Sequence, residues 1–383
     1  MLFYAEKMEE QCINDRRYFH QNPELSFQET NTMEYITKRL ATLGISYQSG
    51  IAGTGVLAEV QGHSEGKCLL IRADMDALPI DEKREVPYCS QKNGIMHACG
   101  HDAHTAILLS ACELMNRLKT EFSGTIKFAF QPGEETSGGA QPMIAAGILE
   151  NPSVDACIAL HVDTDIPTGS IRVKEDALYA SPDDFYITIK GKGGHGAEPE
   201  NTIEPIVIAS EVVPKLHALR GDKAVVSVCS IHAGDATNVI PETITLSGTA
   251  RSLDNETRTY LEKTIESIAK DVSEKYNASY TYQFEKLYPP LINHPEISKL
   301  LKESAIRCLG EKGCIWGGKP TMAGEDFAYF SQAVPSALFK LGCRNEAKGI
   351  IAPIHNPEFD IDESALKYGI AIFADFALRF LQD

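Results

Sequence analysis

The sequence lacks any apolar run that could cross a bilayer, since no segment approaches ~18 uninterrupted apolar residues. Its N-terminal segment, MLFYAEKMEEQCINDRR, becomes charged within a few residues and predicts no secretory signal. Basic runs are also missing, because 36 Lys and Arg stand against 53 Asp and Glu, for a net charge of −17. We therefore expect no nucleic acid and no membrane as partners. Anionic small molecules could still bind where a metal or a local arginine reverses the sign.

The ten cysteines form no Cys-x-x-Cys pair and share no repeated spacing, which argues against a disulfide framework. In a chain of this length they are typical of reduced, buried thiols in a cytoplasmic protein. Internal repeats and low-complexity segments are absent as well. The 383 residues predict two or three domains at roughly 100 to 200 residues each.

Four short apolar runs, each followed by polar residues, indicate the fold of the larger part of the chain. They occupy residues 67–79, 125–135, 155–163 and 336–343. Their continuous hydrophobicity predicts strands buried on both faces. Helix-like segments lie between them, such as 102–119 with Asp102 as its N-cap. The alternation predicts an α/β fold with a mostly parallel sheet, whose ligands gather beyond the carboxyl ends of the strands. The side chains expected there are Asp74, Asp76, Glu134, Glu135, His161 and Cys343.

The pattern changes near residue 180, where DDFYITIKG has the period of two of a one-sided, antiparallel strand. A helix, two strands, a helix and a strand are predicted in turn at 203–219, 224–234, 239–251, 261–272 and 280–284. The resulting order, βαββαβ, predicts a compact module. Helix, strand and helix resume after it. We therefore divide the chain into residues 1–179 and 291–383, forming one interrupted domain, and an inserted domain at 180–290.

The stretch GIMHACGHDAHTA, residues 94–106, concentrates histidine, cysteine and aspartate. Cys99 and His101 are two residues apart, so an extended segment before the helix would turn both side chains to one side. A thiolate and an imidazole so placed suit a borderline-soft divalent metal. Taken alone, a buried thiol beside a helix-capping histidine explains the pair equally well.

Three other segments add ligand types. Glu134 and Glu135 are adjacent at a predicted strand end, and extended backbone would point them opposite ways, one toward a metal and the other toward substrate. His161 closes the run CIALHVD, and His355 lies in a loop before the last helix. Solvated surface acids and ordinary structural histidines are the alternatives at these positions.

The candidate ligands number five, whereas one catalytic zinc usually takes three plus a water. They are Cys99, His101, Glu135, His161 and His355. Five ligands fit two divalent metals better than one, and a pair about 3.5 to 4 Å apart lowers the pKa of a shared water enough to supply hydroxide near neutral pH. The thiolate favours zinc, while mixed nitrogen and oxygen ligation also admits manganese, cobalt or nickel. The ions outweigh the ligand charge, so the site could attract an anionic substrate.

Ordered motifs along nearly the whole chain resemble the metal-dependent aminoacylase and carboxypeptidase family, in its amidohydrolase branch. That branch includes hippurate hydrolases, auxin-conjugate hydrolases and N-acetyldiaminopimelate deacetylases. The motifs are RRYFHQNPELSFQE (16–29), RADMDALP (72–79), MHACGHDAH (96–104), QPGEE (131–135), ALH (159–161), GKGGHGAEP (191–199), NVIPETITLSGTAR (238–251), AGEDFAYF (323–330) and HNPEFDIDE (355–363).

The resemblance implies a dinuclear catalytic domain interrupted by a lid that also forms a homodimer. It makes the five candidates the metal ligands and Glu134 the general base. Other branches place a histidine where Asp74 stands and an aspartate near Cys99. The chain therefore follows the cysteine-containing branch, and Asp74 is not assigned to metal. Asp76 is expected to orient a metal ligand. Three further histidines are expected to be structural or to support the ligands: His20, His97 and His104.

The resemblance also assigns residues outside the metal cluster. His195 corresponds to a histidine that reaches the partner subunit's active site to stabilise the oxyanion. Asn238 and Arg251 resemble groups that hold the substrate's α-carboxylate, and Glu325 resembles a pocket-lining residue. A turn histidine, a turn asparagine and a strand-edge arginine are the alternatives. Glu200 stands where relatives commonly have histidine, which leaves the substrate range open.

The predicted reaction is hydrolysis of the amide that joins an acyl group to an amino acid, with Glu134 as base and then acid. A dipeptidase or carboxypeptidase using the same site is the nearest alternative. A non-catalytic metal-binding dimer is another, and the intact Glu134 argues against it. A thiol-redox role for Cys99 is disfavoured because no resolving cysteine lies nearby in sequence.

Overall fold

The computed structural model describes residues 1–382. The chain divides into two compact units. The first comprises Met1–Asp176, Ile292–Gly318 and the described residues from Tyr329 onward; the second comprises Ala177–Leu291 and Lys319–Ala328. The segment Lys319–Ala328, assigned from the sequence to the larger domain, thus belongs to the second unit. The role of that unit as a lid and dimerisation domain stays a prediction.

Residues 1–382 form ten α-helices, sixteen strands and four short 3-10 helices. The α-helices are α1 Leu2–Glu6, α2 Glu9–Gln21, α3 Thr30–Thr42, α4 His101–Arg117, α5 Ala140–Ala145, α6 Pro205–His217, α7 Asn255–Lys275, α8 Pro295–Leu309, α9 Ala328–Ala333 and α10 Leu366–Gln382. The strands are β1 Ser46–Ile51, β2 Gly55–Gln61, β3 Cys68–Asp74, β4 Thr125–Gln131, β5 Ala156–Pro167, β6 Ile171–Val173, β7 Asp176–Tyr179, β8 Ser181–Lys190, β9 Gly194–His195, β10 Ala224–His232, β11 Val239–Ile240, β12 Thr243–Ser252, β13 Ser279–Glu285, β14 Leu291–Asn293, β15 Cys314–Trp316 and β16 Ser336–Arg344. The 3-10 helices are Pro199–Asn201, Glu311–Gly313, Glu346–Lys348 and Glu363–Ala365. Among these residues, no helix has the length and apolar character needed to cross a bilayer.

The first unit is built on an eight-stranded sheet of order β1-β2-β4-β3-β5-β16-β6-β15. Its four central strands, β4, β3, β5 and β16, are parallel, and they are the four strands predicted from the apolar runs. β1 and β2 continue the sheet in antiparallel register. Apolar side chains of α4 and α10 belong to the same core as those of the central strands. The predicted α/β fold with a mostly parallel sheet is confirmed.

The second unit has a four-stranded antiparallel sheet of order β10-β12-β8-β13. Its chain order is β8, α6, β10, β12, α7 and β13, which confirms the βαββαβ prediction. Phe185, Ile187 and Ile189 of β8 form a core with apolar residues of α6 and α7, because alternate residues of a strand face the same side of the sheet. This core is separate from that of the first unit.

Two predictions about element ends were wrong. Helix α4 begins at His101 with Gly100 as its N-cap, and Asp102 makes no capping bond. The Asp102 carboxylate instead accepts a hydrogen bond from Arg16 Nε at 2.7 Å. His161 lies in the middle of β5, since the strand continues to Pro167 along its partner β16.

Candidate metal centre and active site

The tight turn before α4 brings Cys99 and His101 into the core. Gly100 has a φ of 88°, and a Cβ there would lie 2.3 Å from Val162 Cγ2, so only glycine fits. Cys99 is 6% exposed and His101 is 1% exposed. The turn places both side chains against β5, where His161 stands.

His161 on β5 faces the Cys99 thiol, which lies just before the N-terminus of α4. Its Nε2 lies 3.4 Å from Cys99 Sγ, while its Nδ1 donates to the Val162 carbonyl oxygen at 2.7 Å. A carbonyl oxygen can only accept, so Nδ1 carries the proton and the Nε2 lone pair points toward the thiol. This is the tautomer that a metal ligand needs.

The turn that carries Glu134 and Glu135 is fixed through its backbone by two carboxylates. Glu29 Oε1 accepts from Gly133 N at 2.9 Å, and Asp76 Oδ2 accepts from Glu135 N at 3.0 Å. Glu29 is fully buried, and its other oxygen is bonded to Thr54. Sequence reasoning assigned Glu29 no role, although it ends the motif RRYFHQNPELSFQE. Its place at the end of that motif was the only signal in the sequence.

Glu135 lies between two of the histidines. Its Oε1 is 3.8 Å from His101 Nε2 and 3.4 Å from His355 Nε2. The His355 backbone has a φ of 61°, and its amide donates to the Ala98 carbonyl oxygen at 2.7 Å. This bond ties the His355 loop to the segment before Cys99. The His355 side chain is 51% exposed and forms the open side of the cluster.

Together the structure gathers all five predicted ligands and Glu134 into three overlapping groups. Within each group one donor atom per residue lies within 4.8 Å of the others: Cys99, His101 and His161; Cys99, Glu135 and His355; His101, Glu134 and Glu135. The expectation that the two glutamates point opposite ways was wrong. They occupy a turn rather than a strand, so both carboxylates reach the same cluster.

Asp76 contacts His101 from behind, as expected of an orienting group. Its Oδ1 lies 3.1 Å from His101 Nδ1, and its Oδ2 accepts from Ser26 Oγ at 2.7 Å. A proton on His101 Nδ1 leaves Nε2 free on the opposite side of the ring, toward Glu135.

The donor set fits divalent metal ions. His101 Nε2 and Glu135 Oε1 are buried, and neither has a hydrogen-bond partner among the described residues. Buried polar atoms of this kind are costly unless something binds them. Burial, with Glu135 nearby, raises the pKa of the Cys99 thiol well above its usual range, so a thiolate there needs a cation. Burial also lowers the pKa of His161 and keeps it neutral.

The second unit holds the remaining predicted residues at two places. His195 is in β9, which pairs with β11 directly after Asn238, and both residues line one cleft. Arg251 lies near the far end of β12, roughly 26 Å along the strand from Thr243 at 3.3 Å per residue. Glu325 is 2% exposed, and the glycine before it packs on Pro182, the β8 partner of Arg251. Asn238 and Arg251 are therefore not brought together within one chain.

Comparison with known proteins identifies the class. The sequence profile described as Peptidase family M20/M25/M40 matches residues 70–379. The chain belongs to this family. It is a hydrolase that acts on amide bonds, and the predicted family and enzyme class are confirmed.

Relatives of this M20-family hydrolase match over nearly its whole length. It is 37% identical to the N-acetyl-L-cysteine deacetylase of Bacillus subtilis, with 98% of this chain and 89% of the relative covered. It is 36% identical to thermostable carboxypeptidase 2 of Saccharolobus solfataricus, with 98% and 97% covered. A crystal structure of the Bacillus subtilis YXEP protein, described as a dinuclear metal binding peptidase, is 34% identical with a TM-score of 0.88 over 98% of this chain and 99% of that one.

In this M20-family hydrolase a buried ionic network contacts the first turn of helix α4 through Asp102. Arg16 is fully buried and donates to Asp102 at 2.7 Å and to Asp360 at 2.8 Å. His20 Nδ1 also lies 2.8 Å from the Asp102 carboxylate. Although burial alone would raise the pKa of Asp102, Arg16 and His20 hold it well below its usual range. The network accounts for Asp102, which sequence reasoning had placed at the helix cap.

Proposed function

We propose that the protein hydrolyses N-acyl amino acids, with N-acetyl derivatives foremost, to a carboxylic acid and the free amino acid. One observation carries the proposal: Glu134 joins the cluster of metal-ligand types while a separate carboxylate, Glu135, lies between His101 and His355. A site that only bound metal would not need the additional acid. The relative named as an N-acetyl-L-cysteine deacetylase supports an acyl amide as substrate.

We propose two divalent ions, zinc or manganese, with cobalt or nickel as alternatives, held by the five ligands. They are Cys99, His101, Glu135, His161 and His355. When bound, the ions supply a water of lowered pKa and an electropositive environment for the substrate carbonyl. The relative described as a dinuclear metal binding peptidase supports the number of ions.

Glu134 moves the proton in the proposed reaction. Its carboxylate takes a proton from the attacking water, whose oxygen bonds to the acyl carbon. It then returns the proton to the nitrogen as the amide bond breaks. His195, acting in the partner subunit's site as the resemblance implies, donates to the carbonyl oxygen in the transition state. Asn238 and Arg251 bind the α-carboxylate. Asn238 directly precedes β11 whereas Arg251 lies near the far end of β12, and this separation supports contributions from two subunits.

Cleavage of a dipeptide by the same residues is the second candidate, and the thermostable carboxypeptidase relative favours it. Release of amine should be measured from N-acetyl amino acids, N-benzoyl amino acids and dipeptides. The protein should first be chelated and then reloaded separately with Zn²⁺, Mn²⁺, Co²⁺ or Ni²⁺. Metal-dependent cleavage of the acyl amino acids at the highest kcat/KM supports the proposal. A preference for dipeptides, or no cleavage by protein shown to hold two ions, would contradict it.

Replacing the proposed base should separate catalysis from metal binding. We expect Glu134→Gln to lower kcat by about 10²- to 10⁴-fold, because the amide cannot accept the proton, while metal content stays unchanged. The adjacent Glu135→Gln is the matched control and should instead lower metal content. Inductively coupled plasma mass spectrometry and steady-state kinetics measure the two effects. Substantial turnover by metal-loaded Glu134→Gln would overturn the assignment.

We place the protein in the cytoplasm. All ten cysteines are free thiols, several of them buried in the core, as suits a reducing compartment. Fractionation of the native source followed by immunodetection tests the location, and recovery outside the cytoplasm would contradict it.

A further inference from the structure

A second cluster of metal-ligand types lies beside the proposed centre. Donor atoms of Asp74, His101 and His104 fall within 4.8 Å of one another, and all three residues are buried. The proposed reaction uses only His101. Asp74 and His104 either bind a further metal ion or position the proposed ligands. Their hydrogen bonds distinguish these alternatives.

The bonds to His104 occupy both of its ring nitrogens. Val162 N lies 2.9 Å from His104 Nε2, and a backbone amide can only donate, so Nε2 is the acceptor. His104 Nδ1 then carries the proton and donates to Asp74 Oδ1 at 2.6 Å. Asp74 Oδ2 accepts from Arg72 Nη1 at 2.7 Å. A metal bound to His104 would have to break one of these buried bonds.

The Val162 amide needs this partner because of where the sheet stops. β3 pairs with β5 only as far as Arg72 and Ala159, and β3 ends at Asp74. His104 takes the place of a neighbouring strand three residues further along β5. The Val162 carbonyl oxygen in turn accepts from His161 Nδ1 at 2.7 Å. Val162 thus joins His104 on α4 to the His161 imidazole on β5.

We propose that Asp74 and His104 are positioning residues that set the distance between His161 on β5 and Cys99, which directly precedes the first turn of α4. The inference rests on the proposed function in taking His161 as a metal ligand. His104 holds β5 at Val162, Val162 holds the His161 ring, and the 3.4 Å separation of His161 Nε2 from Cys99 Sγ depends on both. Asp74 fixes the tautomer in which His104 can accept.

A pair of His104 variants tests the acceptor. His104→Asn keeps a donor toward Asp74 but leaves the Val162 amide unpaired, whereas the longer His104→Gln places its carbonyl oxygen near the position of Nε2. We expect His104→Asn to weaken Co²⁺ binding to chelated protein by about 10- to 100-fold, the usual effect of removing a partner of a ligand. His104→Gln should recover much of this affinity. Co²⁺ titration, followed by the thiolate-to-cobalt charge-transfer absorption of Cys99, measures the affinity to which His161 contributes and requires no turnover.

Leu109→Ala is the control for lost stability, because Leu109 is a fully buried residue of the same helix with no bond to the cluster. Its urea midpoint should fall while its Co²⁺ affinity and spectrum stay unchanged. Wild-type affinity in His104→Asn, or an equal loss in Leu109→Ala, would overturn the proposal. So would three ions bound per subunit, or no Co²⁺ uptake by the wild type. Normal Co²⁺ behaviour without hydrolysis of any panel substrate would overturn only the proposed function.

Discussion

Buried carboxylates in this protein are stabilised by a buried cation, the Arg16 guanidinium, and removing that cation should lower the free energy of unfolding. Arg16 is the buried partner of Asp102, Asp360 and Glu363, whereas the next residue, Arg17, is 42% exposed and bonded to Glu363. We expect Arg16→Met to lower the free energy of unfolding by about 3–5 kcal/mol, because buried carboxylates lose their cation. Arg17→Met, the control, should cost about 1 kcal/mol or less. Equal shifts in urea denaturation would contradict the argument.

Wild type and Arg16→Met should also differ in their response to acid. Burial raises the pKa of Asp360, but the Arg16 guanidinium outweighs that effect and holds the pKa below its usual range. The stability that this ion pair gives is present above the unfolded pKa of about 3.9 and is lost as pH falls through the lower folded value. The difference in unfolding free energy between wild type and Arg16→Met should therefore be largest near neutral pH and shrink as the pH falls, because acid protonates the buried carboxylates that the variant leaves without a cation. A difference that grew with acid would contradict this sign.

Residue types were predictable, but their partners were not. Glu135 and His161 were chosen by type and by their place after apolar runs, Cys99 and His101 by their spacing, and His355 by its residue type. The fold brings all five together. Asp102 binds Arg16, which lies 86 positions earlier in the chain. The same guanidinium also binds Asp360, which lies 258 positions after Asp102. Nothing in the local sequence distinguishes a cap from such a partner.

At the scale of elements, the junction before α4 should be sensitive to a single methyl group. Gly100→Ala combines left-handed strain, about 1–2 kcal/mol, with a clash against Val162 in β5. Gly94→Ala is the matched control, since Gly94 has a φ of 75° and no atom within 4 Å of its Cβ position. We expect Gly100→Ala to cost at least about 1 kcal/mol more than the control and to weaken Co²⁺ binding. Thermal unfolding and Co²⁺ titration measure both, and identical effects would contradict the packing argument.

Strand identity followed from hydrophobicity, whereas strand length and order did not. The four apolar runs became the four central parallel strands. The extension of β5 past His161 depends on pairing with β16, about 180 residues later, so the local pattern carried no sign of it. The order β10-β12-β8-β13 likewise reflects pairing between distant segments.

At the scale of the whole molecule, we propose a homodimer formed through the second unit. β10 is an edge strand, and Ile231 on it is 50% exposed; an unpaired edge with an apolar side chain favours association. Sedimentation velocity should show a dimer, and Ile231→Lys should shift it toward monomer. Tyr47→Lys, on the edge strand β1 of the first unit, is the control and should leave the dimer intact. A monomeric wild type would contradict the proposal.

The central position of β16 also bears on how the protein is made. Its neighbours β5 and β6 are complete by residue 173, yet the strand between them begins only at Ser336, and His355 follows later still. During translation the nascent chain therefore exposes an unfinished sheet while the whole second unit is being synthesised. The second unit, whose six principal elements end at Glu285, can fold first on the ribosome. Enzyme maturation must await the synthesis of β16 and His355, and the exposed edge of β5 is where we expect chaperones to be needed.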